Sequence, residues 1–299
     1  MRTFTKGAHV FKTLATLGLA AALLVGTVTA TMAADAKPVK IGWAAWSDAE
    51  FVTKLAARLI ETKLNQKVEL VQADVAPLYQ GVGRGDLDAM MMAWLPQTHA
   101  DYYAKVKEKV ETLGTVYDGA KLGWVVPDYI PADQIGSIED LKKEDVQKKL
   151  SGTIQGIDPG AGLTRLSEKA EKDYGLGSYK LQISSEAGML TTVDRAVRGE
   201  KWFVATAWSP HWMFGKHQLR YLDDPKKSLG EAEHVDILAR KDFKSEYPKV
   251  ADFLSRMKLP IPDLEAAMFT AQQSSYDDAV DKYIADHPDQ VKSWIGEEG

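Results

Sequence analysis

The sequence predicts an α/β protein made of two lobes with a ligand cleft between them. Short apolar runs typical of strands alternate with amphipathic segments typical of helices, an order that gives parallel sheets with helices on both faces. This strand–helix series runs once before the segment "LGWVVPDY" at residues 122–129 and again after it. From about residue 244 the pattern is helical throughout. Two lobes closed by a helical tail fit this order.

The first series predicts strands at "VKIGWAAW", "VELVQAD", "LDAMMMAW", "ETLGTVYD" and "LGWVVPDY". Its first helix is "DAEFVTKLAARLIETKLN", with Asp48 placed to cap it, and another helix begins at about His99. The second series predicts strands at "GTIQGID", "YKLQIS" and "WFVATAW", with helices between them, and a last strand at "EHVDILAR". We expect lobe one to contain residues 38–125 and 232–299, and lobe two residues 126–231.

The amino terminus has the pattern of a secretory signal peptide, predicted over residues 1–33. Arg2, Lys6 and Lys12 precede an apolar stretch that ends in the small residues "TMAA". A membrane anchor is the alternative, but the stretch is short and contains Gly, Ala and Thr, whereas a span needs about 20 apolar residues. The chain has no cysteine, hence neither a lipoprotein anchor nor a disulfide. We therefore expect a periplasmic protein.

Charge and motifs exclude several classes of function. The formal net charge is −5, and removal of three basic residues with the signal peptide makes it −8, because 34 basic residues then face 42 acidic ones. An acidic surface argues against nucleic acid as a partner. The motifs G-x-S-x-G, H-E-x-x-H and the P-loop are absent, and the six histidines lack metal-ligand spacing. We expect no enzyme, no metal and no cofactor; a choline-ester hydrolase would need a nucleophile and a base that the sequence does not offer.

Three of the eight tryptophans occur in the same setting. Trp46, Trp94 and Trp208 each end an apolar run and are followed at once by polar or turn-forming residues. Ligands of open α/β sheets bind outside the carboxyl ends of strands, which is where these three residues are expected. The remaining tryptophans are interpreted as packing residues: Trp43, Trp124, Trp202, Trp212 and Trp294.

Indole faces attract cations, most usefully quaternary ammonium groups, which have no N–H to donate. At about 0.5–2 kcal/mol per desolvated ring, three rings fall short of the roughly 8 kcal/mol that micromolar binding needs. A second anchor is available in "GIDPGAGLTRL", where Gly160 and Gly162 precede a helix starting near Leu163. Backbone N–H groups there can bind a carboxylate, and His99 can donate from its ring. A cationic head with a carboxylate tail would use both anchors.

Four segments carry a resemblance to a known family: "AWLPQTHADYY", "GTIQGIDPGAGL", "SSEAGMLTTVDRA" and "AWSPHWMFGKHQLRYLDDPKKSLGEAEHVDILARKDF". They resemble the glycine betaine-binding proteins of ABC importers, the OpuAC/ProX-like family. The resemblance implies a two-lobed periplasmic binding protein fold of type II-like topology that works as a monomer with a permease and its ATPase. It implies an indole prism of Trp46, Trp94 and Trp208 around the trimethylammonium group. The carboxylate contacts it implies are His99 and the amides of Gly162 and Leu163.

Choline remains an alternative ligand. The choline-specific relatives of this family lack the histidine of the "WLP" motif, have a tyrosine at the position of Leu122 and carry an asparagine in the "PG" loop. Asp48, directly after Ser47 in "WSD", nevertheless resembles their "WTD" pattern. A carboxylated betaine is favoured. A sensor module that presents the same ligand site to a chemoreceptor is the second alternative.

Overall fold

The structure, a computed structural model, describes residues 37–296. The predicted signal peptide lies outside these residues. Within residues 37–296, no helix combines the length and the apolar character that crossing a membrane would need.

In the part of the chain that the structure describes, nine strands form the sheets. They are β1 (Val39–Trp43), β2 (Val68–Gln72), β3 (Ala89–Leu95), β4 (Val110–Pro127), β5 (Thr153–Gln155), β6 (Lys180–Gln182), β7 (Val204–Ser209), β8 (Leu219–Tyr221) and β9 (Glu233–Arg240).

Within residues 37–296, twelve α-helices accompany the strands, and one 3-10 helix, Ile138–Lys142, precedes α4. They are α1 (Ser47–Leu64), α2 (Val75–Arg84), α3 (Ala100–Val106), α4 (Glu144–Lys149), α5 (Gly162–Asp173), α6 (Glu186–Arg198), α7 (Met213–Lys216), α8 (Phe243–Glu246), α9 (Pro248–Arg256), α10 (Ile261–Gln273), α11 (Tyr276–Asp286) and α12 (Pro288–Ile295). The predicted order of elements is confirmed, and α4, α7 and β8 are additions that the sequence pattern did not reveal.

The strand order is β2-β1-β3-β9-β4-β7-β5-β6, and β8 pairs with β4. The parallel pairs predicted from the alternating pattern are present in both series, since β1 lies parallel to β2 and β3, and β5 lies parallel to β6 and β7. The strands β4 and β9 run antiparallel to their neighbours. We call β1–β3, β9, α1–α3 and α8–α12 the first lobe, and β5–β8 with α4–α7 the second lobe.

The strand β4 is shared by the two lobes. Residues 110–120 pair with β9, residues 121–125 pair with β7, and residues 125–127 pair with β8. Separate strands at "ETLGTVYD" and "LGWVVPDY" were therefore a wrong prediction. Asp118 and Gly119 interrupt the apolar pattern. The strand nevertheless continues past Gly119, which has φ +79°, because pairing with β9 resumes at Ala120 after a shift in register. Hydrogen bonding thus joins all nine strands, and the predicted lobe bounds stay a prediction.

The helix α1 shows how the first lobe is packed. Its apolar residues at helical spacing are fully buried: Phe51, Val52, Leu55, Leu59 and Ile60. Each such side chain contributes about 1.5–3 kcal/mol through burial.

Asp48 does not cap α1, contrary to the prediction. The N-cap is Trp46, without a side-chain cap, and Asp48 lies in the first turn with no exposed surface. Its carboxylate instead accepts hydrogen bonds from Tyr117 and Trp208, which leaves it unavailable to the helix N-terminus.

Candidate ligand-binding site

All seven residues singled out in the sequence line one cavity between the lobes. The space not filled by protein atoms there is about 290 Å³, open solvent included. The lining residues are Trp46, Asp48, Trp94, Thr98, His99, Leu122, Ile157, Ala161, Gly162, Leu163 and Trp208. The first lobe supplies Trp46 and Trp94, and the second supplies Trp208.

The three indoles reach the cavity because they lie where strands end. Trp46 follows β1 and starts α1, while Trp94 and Trp208 are the penultimate residues of β3 and β7. The parallel between the last two extends to the backbone, since the Leu95–Pro96 and Ser209–Pro210 peptides are both cis. All three indoles are buried, with exposures of 7%, 3% and 3%. The three indoles therefore lie at the ends of strands, as the apolar runs predicted.

Carboxylates hold the N–H edges of the Trp46 and Trp208 indoles. Trp46 Nε1 donates to Asp158 Oδ2 at 2.9 Å, and Trp208 Nε1 donates to Asp48 Oδ1 at 3.0 Å. Both bonds join the two lobes. Trp94 is oriented by an edge contact with Tyr117, whose ring centroid lies 6.3 Å away. These contacts orient the three rings while the two lobes are in contact.

Asp48 places a buried carboxylate against the indoles. Tyr117 donates its hydroxyl to Oδ2 at 2.6 Å, and Trp208 holds the other oxygen. Burial raises the pKa of Asp48, and nearby Glu186 adds to the rise, while the hydrogen bonds from Tyr117 and Trp208 and the proximity of His211 oppose it. A cation bound beside Asp48 would favour its ionised form.

His99 also lines the cavity, and its ring centroid lies 5.9 Å from that of Trp46. Its backbone N–H donates to Trp94 O at 2.9 Å, and the Trp94 N–H donates to His99 Nδ1 at 3.2 Å. The neutral ring therefore carries its proton on Nε2. Burial, together with the positive charge of Arg165, lowers the pKa of His99 to about 3. A hydrogen bond with the Met92 backbone acts in the opposite direction and raises the pKa. His99 is thus a neutral hydrogen-bond donor over the physiological range.

The helix α5 brings its amino terminus to the same cavity. It starts at Gly162, and neither the Gly162 nor the Leu163 N–H has a protein acceptor within the part of the chain described. A Cβ on Gly162 would lie 2.2 Å from the Thr98 carbonyl oxygen, so only glycine allows this close approach between the lobes. Free N–H groups at a helix start favour an anion.

The loop that carries His99 is clamped from both lobes. The Glu233 carboxylate accepts from the N–H groups of Gln97, at 2.5 Å, and Thr98, at 3.0 Å, and also from the Thr98 hydroxyl. From the second lobe, Arg165 Nη2 donates to the Thr98 carbonyl at 3.0 Å. The His99 ring is therefore fixed relative to the start of α5.

Sequence reasoning missed the residues that hold the site: Tyr117, Asp158, Arg165 and Glu233. It also interpreted Trp212 as packing alone, although Trp212 Nε1 donates to Ser47 Oγ in the other lobe at 2.9 Å. Among residues 37–296, no three His, Cys, Asp or Glu side chains are grouped in a way that could hold a metal ion.

Comparison with known proteins identifies the family of the chain. The model of the OpuAC family, described as the substrate binding domain of ABC-type glycine betaine transport system, matches residues 37–286. The chain belongs to this family. It is a substrate-binding protein of the ABC-type glycine betaine transport family.

Individual relatives agree with this membership. The glycine betaine/carnitine transport binding protein GbuC of Listeria monocytogenes is 36% identical over 155 residues, which span 51% of this chain and about half, 52%, of that protein. The glycine betaine/proline betaine-binding periplasmic protein of Salmonella typhimurium is 27% identical over 84% of this chain and 87% of that protein.

A solved structure shares the fold. The crystal structure of lactococcal OpuAC, in its closed-liganded conformation with glycine betaine, is 34% identical to this chain with a TM-score of 0.79, covering 87% of this chain and 99% of that one. The likeness confirms the two-lobed periplasmic binding protein fold expected from the sequence.

Proposed function

We propose that this protein captures glycine betaine, or a related carboxylated quaternary ammonium compound, in the periplasm and delivers it as a monomer to the permease of an ABC importer that its ATPase drives. The observation that carries the proposal is that two kinds of group line one cavity. Three indoles and the Asp48 carboxylate can meet a cation, and His99 with the unpaired amides of Gly162 and Leu163 can donate to an anion. A ligand that is cationic at one end and anionic at the other complements both kinds of group.

The tryptophan cage supplies the cation contacts in this proposal. A desolvated ring contributes up to about 2 kcal/mol to a bound cation. The three buried rings thus provide part of the affinity, and the charge-assisted hydrogen bonds of the carboxylate provide the rest. The periplasmic location rests on the predicted signal peptide and on the Salmonella relative, whose name places it there.

Choline is the second candidate, and one observation favours it. Asp48 is buried in the cavity wall, and its ionised carboxylate would balance the single positive charge of choline, whereas glycine betaine brings a carboxylate of its own. Leu122, which lines the cavity where choline-specific relatives have tyrosine, argues the other way. The chemoreceptor alternative has no support, because the family description names a transport system.

Calorimetry with the mature protein tests the proposal against three probes. Glycine betaine has both charged ends, choline has only the cationic head, and glycine has a carboxylate without the methyl groups. We expect micromolar or tighter binding of glycine betaine, choline at least tenfold weaker, and no measurable binding of glycine. A preference for choline would make Asp48 the decisive residue and overturn the carboxylate assignment, and binding of neither cation would overturn the function.

A further inference from the structure

A cluster of polar side chains joins the lobes beside the cavity without lining it. We call Ser47, Glu186, His211 and Trp212 the Glu186 cluster. Glu186 is the first residue of α6, in the second lobe, and is only 5% exposed. Its Oε2 accepts the backbone N–H of Ser47 at 3.0 Å, and its Oε1 accepts the Ser47 hydroxyl. Ser47 is the first residue of α1, in the first lobe.

His211 completes the surroundings of this carboxylate. Its Nδ1 accepts the Met213 N–H at 3.0 Å, so the proton of the neutral ring is on Nε2. Nε2 lies 3.1 Å from Glu186 Oε1 and donates to it. The fully buried His211 and the two groups of Ser47 thus give Glu186 three donors, which a buried carboxylate needs.

The Glu186 cluster touches two walls of the cavity. Ser47 lies in the chain between Trp46 and Asp48, both of which line it. On the other side, the His211 ring packs edge-on against Trp208, with centroids 4.5 Å apart. Glu186 therefore connects the turn that carries one indole in the first lobe to a ring that supports another in the second.

We infer that Glu186 is a positioning residue for ligand capture, which fixes the Trp46–Asp48 turn against Trp208 when the lobes close. The inference rests on the proposed function. Because Ser47 and Glu186 belong to different lobes, their hydrogen bonds form on closure and break on opening. An interaction made only in the closed state favours that state and slows ligand release, with little effect on the encounter.

Glu186→Gln is the sharpest variant. Glutamine keeps the size but has one acceptor oxygen, and its NH₂ group would face another donor in the closed state. Stopped-flow tryptophan fluorescence with glycine betaine should show a dissociation rate increased about tenfold or more, and an association rate within about threefold of wild type. The Tm of the ligand-free protein should be unchanged. Glu168→Gln, which removes the same charge at an exposed position of α5, is the matched control and should leave both rates unchanged.

Closure can also be followed without any ligand. The chain contains no cysteine, so Lys63→Cys and Lys172→Cys, at exposed positions of α1 and α5, allow one dye to be attached to each lobe. Single-molecule energy transfer should show a smaller closed fraction for Glu186→Gln than for wild type. This readout stays decisive if wild type does not bind glycine betaine, a result that would overturn the proposed function alone. An unchanged closed fraction, an unchanged dissociation rate, or a lower ligand-free Tm with slower association would overturn the positioning role.

Discussion

The residues that line the cavity form two sets that differ in how their polar groups are satisfied: we call Trp46, Trp94, Trp208 and Asp48 the cation end, and His99, Gly162 and Leu163 the donor end. At the cation end, the indole N–H groups of Trp46 and Trp208 are bonded to Asp158 and Asp48, and Asp48 accepts a second hydrogen bond from Tyr117. At the other end, the amides of Gly162 and Leu163 have no acceptor among residues 37–296. The first end is complete within the protein, and the second end leaves donors for a ligand.

In the proposed function, this difference separates affinity from selectivity. The fixed indole faces offer the same contacts to every trimethylammonium head, so they cannot distinguish glycine betaine from choline. A ligand carboxylate satisfies the buried donors with charge-assisted hydrogen bonds, whereas a hydroxyl leaves some of them unsatisfied at about 1–3 kcal/mol each. The cation end therefore supplies binding in general, and the donor end selects the ligand.

The largest expected effect comes from acid, because the two ends titrate in opposite senses. His99 has a pKa of about 3 in the folded protein and an ordinary value of 6.5, so between these values only the unfolded chain binds the proton. Its burial thus costs stability as the pH falls, by about 1.4 kcal/mol per unit. The raised pKa of Asp48 acts oppositely, since there the folded state binds the proton and stability decreases as the pH rises from 3.8. Urea unfolding at pH 6.5 and 3.5 should show that His99→Gln removes up to about 4 kcal/mol of the acid loss.

His234→Gln is the control for this measurement, because the His234 side chain is 41% exposed. We expect this variant to keep a larger acid loss than His99→Gln. An equal acid loss in His99→Gln and wild type would mean that the ring is not held neutral in the folded protein.

Trp208→Ala should be the strongest single change in the cation end. It removes one ring face and one of the two donors to Asp48, so both glycine betaine and choline should bind about 2 kcal/mol more weakly. Calorimetry with the two ligands measures this. Trp202→Ala is the control, since Trp202 lies outside the cavity with Lys149 over its ring at 4.0 Å. A loss of affinity for glycine betaine alone would contradict the assignment of Trp208 to the cation end.

His99→Ala tests the donor end. Loss of a donor to the ligand carboxylate should weaken glycine betaine by about 1.5 kcal/mol, while choline should change by less than about 0.5 kcal/mol. The gap between the two ligands, about 1.4 kcal/mol or more in the wild-type protein, should therefore narrow. Equal losses for both ligands would contradict the assignment of His99 to the carboxylate.

The ends also differ in how much the sequence revealed. Trp46, Trp94 and Trp208 could be found because each follows an apolar run that is visible locally, and a glycine pair before a helix is equally local. The partners that hold them are distant in the chain. Tyr117 is 69 residues from Asp48, Asp158 is 112 residues from Trp46, and Glu186 is 139 residues from Ser47. Nothing near either residue of such a pair marks the contact.

Two local interpretations were wrong for the same reason. An aspartate near a helix start usually caps it, yet Asp48 is turned to Tyr117 and Trp208 by tertiary contacts. An aspartate followed by glycine usually ends a strand, yet β4 continues through Asp118 and Gly119 because it pairs with β9 on both sides of them. Long-range packing outweighed local preference at both positions.

The smallest expected effect is that of Tyr117→Phe, which changes the cation end without touching an indole. The phenyl ring keeps the edge contact with Trp94, and only the hydroxyl bond to Asp48 is lost. Since that bond opposes the rise in the pKa of Asp48, the variant should hold a carboxylate that is less readily ionised beside the bound cation. A neutral hydrogen-bond donor of this kind contributes about 1 kcal/mol, so both ligands should bind about fivefold more weakly. Calorimetry with the two ligands checks this: the loss should be the same for glycine betaine and choline. A loss that falls on glycine betaine alone would mean that Tyr117 acts through the donor end, and the division between the two ends would be wrong.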